Sequence, residues 1–208
     1  MLDALPWGVL QPSTECGPGL VGTVARLRNI ELRIHGGGAL PGAHEVGALV
    51  VLGEMPSACG LLAEAIDADV PVLALGAGAR LLARALGARV DDVPGGEACV
   101  APVYLTDEGC ADRVLGRAPS PFDALHRGRG GYDLPAGALA LADSAVDPAP
   151  AFRFRRAYGV PFHLETDAEV ATHCDGCPLG FPTRASLGAG VAVLDAFARL
   201  GSPFVASW

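Results

Sequence analysis

Two short stretches hold the residue types that could do chemistry. The first is His163-Leu164-Glu165, which follows the apolar run Ala157–Phe162. In an extended chain, side chains two apart share a face. A carboxylate beside an imidazole fixes its tautomer and raises its basicity, as a general base needs. The second is residues 71–87, PVLALGAGARLLARALG. Val72–Leu75 has the length and apolar character of a strand buried on both faces. Gly76-Ala77-Gly78 makes a turn. Leu81, Leu82, Ala85 and Leu86 then recur at helical spacing, with Arg80, Arg84 and Arg89 on the other side. Strand, tight turn and helix form the frame of a nucleophile elbow, whose apex presents a side chain above the sheet. The apex here is Gly76. Glycine suits a turn that needs positive φ, but it offers no nucleophile, so no covalent intermediate can form on it.

The rest of the chain supplies the elements that hold these stretches. Trp7–Leu10 reads as a first strand, followed by a polar Gly/Pro turn and a helix from Leu20 to about Arg28. Ile30–Ile34 alternates as a second strand. Residues 35–47 form a Gly/Pro loop, and Ala48–Leu52 is a strongly buried strand. Gly53 and the turn Glu54–Gly60 lead into a helix over Leu61–Ile66. Strand–helix alternation implies a parallel sheet with helices on both faces. Further on, Val100–Leu105 and Ala138–Ala142 read as strands, with a mixed loop over 106–131 between them. Ala151–Phe154 and Ala157–Phe162 read as a hairpin closing the sheet. Residues 166–173 offer one or two helical turns, and Ala185–Leu200 a terminal helix. The expected fold is α/β: one three-layer α/β/α domain over residues 1–208, with a mainly parallel central sheet and no repeat or linker.

Composition narrows the function. Half of the 208 residues are apolar, and all 15 basic residues are arginine. Without lysine, the chain cannot form a Schiff base or supply a Walker-type phosphate lysine. A net charge of −8 argues against a nucleic-acid partner. No apolar run approaches the roughly 18 residues of a membrane span, and MLDALPWGVL lacks the basic start of a signal peptide. The expectation is a cytoplasmic protein, off the membrane, whose six cysteines are thiols.

Four stretches resemble, in order, the class I glutamine amidotransferases of the GMP synthase type. ALVVLGEMPS is similar to the family's third strand and oxyanion loop, usually a variant of LVVLGGPMS. VPVLALGAGARLLARALGARV is similar to the elbow, usually VPVLGICLGAQLLAEALGG.V. PFDALHRGRGGYDLP is similar to the late strand and loop with a WHGD core, and RAYGVPFHLET to the closing AYGVQFHPE. The resemblance runs from about residue 7 to 172. It implies a flavodoxin-like α/β fold. It also implies a site in which an elbow cysteine attacks the glutamine carboxamide, a histidine moves the proton, a glutamate orients the histidine, and backbone N–H groups hold the oxyanion. By position His163 and Glu165 are the catalytic pair, and Gly76 stands where the cysteine belongs. Gly53, Glu54, Gly76 and Ala77 line the substrate side, with the Glu54 and Ala77 N–H groups toward developing charge.

The expectation is therefore an amidotransferase-like protein without the ordinary glutaminase reaction. Its pocket acts on a small carbonyl or amide compound through His163–Glu165, with a water in the space the thiol would have filled; the other reading of Gly76 is a glycine that merely suits a positive-φ turn in a protein whose chemistry has lapsed. The Arg-for-Lys bias and free-standing form resemble pathway enzymes of GC-rich bacteria, which implies specialised metabolism. The alternative is a catalytically silent subunit that binds a synthetase; a homodimer is the other partner considered. No cofactor or metal is expected.

Several further residues have two readings. Glu54 replaces a glycine of the oxyanion loop: ionised it repels an oxyanion, protonated it donates to one, and otherwise it is a solvent-facing loop residue. His126 to Gly131 replaces the WHGD region, with Gly128 at the family histidine when no gap is allowed. Its arginines suit a carboxylate or phosphate, or the segment is a solvated loop. His173-Cys174-Asp175-Gly176-Cys177 is a CxxC after a histidine, but a structural zinc needs four ligands and Cys16 or Cys59 could complete one only through the fold. Cys59 is either a displaced nucleophile or an ordinary buried thiol. The glycine runs do not complete a dinucleotide motif.

Overall fold

The structure, a computed structural model, describes residues 5–13, 17–91, 96–127, 130–173 and 176–201. Four short strands are buried along their whole length: β1 (Trp7–Leu10), β3 (Ala48–Val51), β4 (Val72–Leu75) and β9 (Ala157–Val160). They are apolar at every position because both faces are covered. Val9, Val50, Leu73 and Leu75 point into one core, against α1 (Leu20–Leu27) and α6 (Arg184–Leu200). Leu10, Leu49, Val51, Val72 and Ala74 point into the other, against α2 (Cys59–Asp67) and α3 (Ala77–Ala85). The alternation of side chains along each strand thus makes three layers.

The remaining strands are β2 (Leu32–His35), β5 (Cys99–Leu105), β6 (Phe122–His126), β7 (Leu139–Ser144) and β8 (Ala151–Phe154). The sheet order is β2-β1-β3-β4-β9-β8-β7-β5-β6. From β2 to β9 all neighbours are parallel, as the strand–helix alternation requires. From β9 to β6 all are antiparallel, so the sheet as a whole is mixed rather than mainly parallel. The reason lies in the connections. Parallel neighbours need a crossover helix, whereas β8 reaches β9 through two residues, which only an antiparallel pair allows.

The hairpin β8–β9 does not close the sheet. Its second strand enters the middle and pairs with β4, Val72 opposite Ala157 and Leu75 opposite Val160, while β2 and β6 form the edges. This placement sets the carboxyl ends of β4 and β9 side by side. The segment read as mixed loop contains α4 (Asp107–Ala111), a 3-10 turn over Leu115–Arg117, and strand β6. A last short helix, α5 (Ala168–Thr172), is capped by the Asp167 carboxylate, which accepts from the Val170 N–H at 2.9 Å. Among the described residues no helix is long and apolar enough to cross a membrane.

Candidate active site

The elbow forms where β4 gives way to α3. Gly76 sits at the apex with φ 55° and ψ −123°, a conformation that side-chain-bearing residues rarely adopt. Its N–H donates to the Val160 carbonyl at 2.8 Å, which ties the apex to the end of β9. Its carbonyl accepts from the Ala79 N–H at 3.0 Å and starts the helix. Ala77 opens α3, so its N–H has no carbonyl partner within the helix. Gly78 lets α3 lie close on β3: a Cβ there would meet the Val51 carbonyl oxygen at 2.5 Å.

His163 and Glu165 lie beyond β9, which ends at Val160 rather than Phe162. The pairing therefore does not come from a continuous strand. It comes from a single bridge in which the His163 N–H donates to the Leu125 carbonyl of β6 at 2.8 Å. The two side chains still converge, with His163 Nδ1 2.7 Å from Glu165 Oε1. Glu165 is buried, and its Oε2 has no partner among the described residues. The imidazole is 21% exposed. Burial pulls the His163 pKa down, but the charge of Glu165 and its hydrogen bond outweigh this and leave it above the ordinary histidine value. Arg127 opposes that rise and Asp147 adds to it, so both charges are felt at the ring.

The imidazole occupies the place a nucleophile would need. A Cβ added at Gly76 would lie 2.6 Å from His163 Cε1 and 2.8 Å from Nε2. The space a side chain at position 76 would enter is therefore taken by the ring. In the neutral ring whose Nδ1 donates to Glu165, Nε2 is the acceptor nitrogen, and it lies on the side of the ring that faces the apex.

On the facing loop, Gly53 lies against the Pro12 ring, where a Cβ would meet Cδ at 2.8 Å. The Glu54 carboxylate does not face solvent freely. Arg84 of α3 donates to it at 2.7 Å, and both side chains are about one-third exposed. This ion pair fastens the loop to the elbow helix.

A second histidine–carboxylate pair sits behind the first. His126 ends β6 as a 2% exposed residue, not as part of a solvated loop. Its Nδ1 bonds the Asp147 carboxylate, its Nε2 faces the Ala101 carbonyl at 3.3 Å, and its ring packs on Phe162 at 5.7 Å between centroids. The alternation of Phe122, Ala124 and His126 on one buried face was the sequence signal for it. Gly128 and Arg129 of the same stretch lie outside the described residues, as do Cys16, Cys174 and Asp175. Cys59 is the half-buried first residue of α2, and the three atoms closest to the Gly76 apex all belong to His163. Among the described residues no three His, Cys, Asp or Glu side chains cluster as metal ligands.

No family model and no curated sequence matches the chain. Solved structures do. A glutamine amidotransferase from Thermotoga maritima superposes with a TM-score of 0.80 at 16% identity, over 96% of this chain and 99% of that one. A glutamine amidotransferase from Methylobacillus flagellatus gives 0.70 at 18% identity, over 95% and 90%. A protein assigned as a GMP synthase subunit from Thermoplasma acidophilum gives 0.65 at 18% identity, over 96% and 98%. At these identities the likeness speaks of architecture, and the chain has the α/β fold of the class I glutamine amidotransferases.

Proposed function

We propose that this protein is an amidotransferase-like enzyme that has given up the cysteine thioester and works by general acid–base catalysis on a small carbonyl or amide compound. The observation that carries the reading is the imidazole of His163 lying over Gly76 with Nδ1 held by Glu165. That arrangement offers Nε2 as a base at the point where an elbow directs its chemistry. Nε2 takes a proton from water, and the hydroxide adds to the substrate carbonyl carbon. The Ala77 and Glu54 N–H groups hold the oxyanion. As the tetrahedral species collapses, the leaving amine takes the proton back from His163, so the net change is hydrolysis. Gly53 and Gly76 are the backbone positions on the substrate side, packed against the Pro12 and His163 rings respectively. The lysine-free composition supports a place in specialised metabolism.

A second reading is a silent subunit that partners a synthetase, favoured by likeness to a protein assigned as a GMP synthase subunit. The experiment measures ammonia release from glutamine and from a panel of small amides, for the native chain and for His163→Ala. The native chain is expected to leave glutamine intact and to hydrolyse another amide, with His163→Ala about 10²–10⁴-fold slower. Amide hydrolysis that persists unchanged in His163→Ala would overturn the reading. Loss of partner binding without any hydrolytic activity would establish the subunit instead.

A further inference from the structure

We propose that a second ligand site lies at the opposite end of the sheet from the elbow: a groove of about 760 Å³ lined by Arg113, Arg117, Arg156 and Arg199, which binds a small polyanion carrying two or more phosphate or carboxylate groups. Arg156 immediately precedes β9 and its guanidinium donates to the Asp69 carbonyl at 2.9 Å, in the turn ahead of β4. His163 lies beyond the other end of β9, which ends at Val160, so the groove and the elbow are at opposite ends of that strand. An occupant of the groove therefore cannot be the compound attacked at the elbow, and the site stands independently of how the elbow is read.

The chain carries a net charge of −8, yet four of its arginines converge here. Among the described residues Asp195 is the single acidic member of the lining, and it is already engaged: Arg28 Nε donates to it at 2.6 Å and Arg199 Nη2 at 3.1 Å. Those two hydrogen bonds outweigh the effect of burial and keep its carboxyl below the usual carboxylate range. Arg156 is held by the Asp69 carboxylate at 3.5 Å and by the Leu200 carbonyl, so it is a fixed member of the wall. Arg113, in the turn after α4, and Arg117, at the end of the 3-10 turn Leu115–Arg117, are exposed and make no ion pair among the described residues. Guanidinium groups are planar forks suited to bidentate contact with phosphate or carboxylate oxygens. Fixed cations on one wall and unengaged cations on the other leave a net positive concavity that a multivalent anion completes. Its volume falls within the range of about 300–1,000 Å³ typical of small-ligand sites.

The test titrates the full chain with inorganic triphosphate and separately with citrate, by calorimetry at low salt. The expected result is saturable one-to-one binding of at least one of them. The double variant Arg113→Ala/Arg117→Ala weakens it at least about tenfold, while Arg33→Ala on the far edge strand β2 leaves it unchanged. Tighter triphosphate assigns phosphate as the ligand chemistry, and tighter citrate assigns carboxylate. Both arginines are exposed, so the variant keeps its far-UV dichroism. Equal binding by the double variant overturns the proposal. So does the absence of binding by either anion at about 1 mM, or binding of an oligoglutamate peptide alone, which would make this face a protein-docking surface.

Discussion

Substituting Gly76 with alanine tests whether the apex and His163 are matched to each other. Two costs arise. A residue with a Cβ at φ 55°, ψ −123° is strained by about 1–3 kcal/mol. The new Cβ would also lie 2.6 Å from the imidazole, so the ring must move. Moving it breaks the 2.7 Å contact with Glu165 and strips a buried carboxylate of the partner described for it, a further cost of about 1–3 kcal/mol. The sum is about 2–6 kcal/mol, which for a chain of this size lowers Tm by roughly 5–20 °C. Urea unfolding monitored by tryptophan fluorescence reads the first quantity directly. The steric part is isolated by repeating Gly76→Ala in a His163→Ala background, where only the backbone strain remains. The cycle should give a coupling of about 1–3 kcal/mol. A Gly76→Ala variant within about 0.5 kcal/mol of wild type, or a coupling of zero, would refute the reasoning.

Three further outcomes follow from the same contacts. Because the folded His163 pKa lies above its unfolded value of about 6.5, its charge contributes stability that is full below that pH and is lost as pH rises through the folded pKa; Glu165→Gln should abolish this decline in the urea midpoint and lower the His163 titration seen by NMR. Breaking the Glu54–Arg84 pair with Glu54→Ala should cost no more than about 1 kcal/mol, since both groups are one-third exposed; a far larger loss of amide hydrolysis at intact stability would show that the carboxylate takes part in the chemistry. Asp112→Ala should cost about 2–4 kcal/mol by calorimetry, because Asp112 Oδ1 accepts from the Val114 and Leu115 N–H groups at 2.8 and 3.0 Å while Oδ2 pairs with Arg153 at 2.9 Å.

The parallel half of the fold was legible because its strands are apolar throughout and its helices are periodic. Trp7–Leu10 and Val72–Leu75 end where their patterns end. The antiparallel half was harder to read. Strand β6 alternates only partly, as Phe-Asp-Ala-Leu-His, and it lies at an edge, where one partner strand suffices and the apolar demand is weaker. The position of β9 was hidden for a different reason. A two-residue connection shows that β8 and β9 pair, but not that the second strand slots beside β4, since that choice is made by packing between segments far apart in the chain. The site shares this division: the spacing of His163 and Glu165 announced a pair, whereas the bridge to Leu125 that holds it is a long-range contact.

The absence of a side chain at position 76 is plain in the sequence, but its consequence is not. Read alone, glycine at an elbow suggests an emptied pocket. The structure instead couples two features from separate parts of the chain. Gly76 can take positive φ without strain, and the room left by its missing Cβ is taken by an imidazole whose other nitrogen is anchored to a buried glutamate. A nucleophile at the apex and the ring in its present place are mutually exclusive, because both need the same few ångströms above Gly76. Restoring a cysteine would therefore require His163 to swing away, and with it the contact that stabilises the buried carboxylate. The ring is held over the apex by Glu165 from one side and by the backbone of β6 from the other. The double-variant cycle above reads this mutual dependence directly, because the steric cost of a Cβ at position 76 vanishes once the ring is removed.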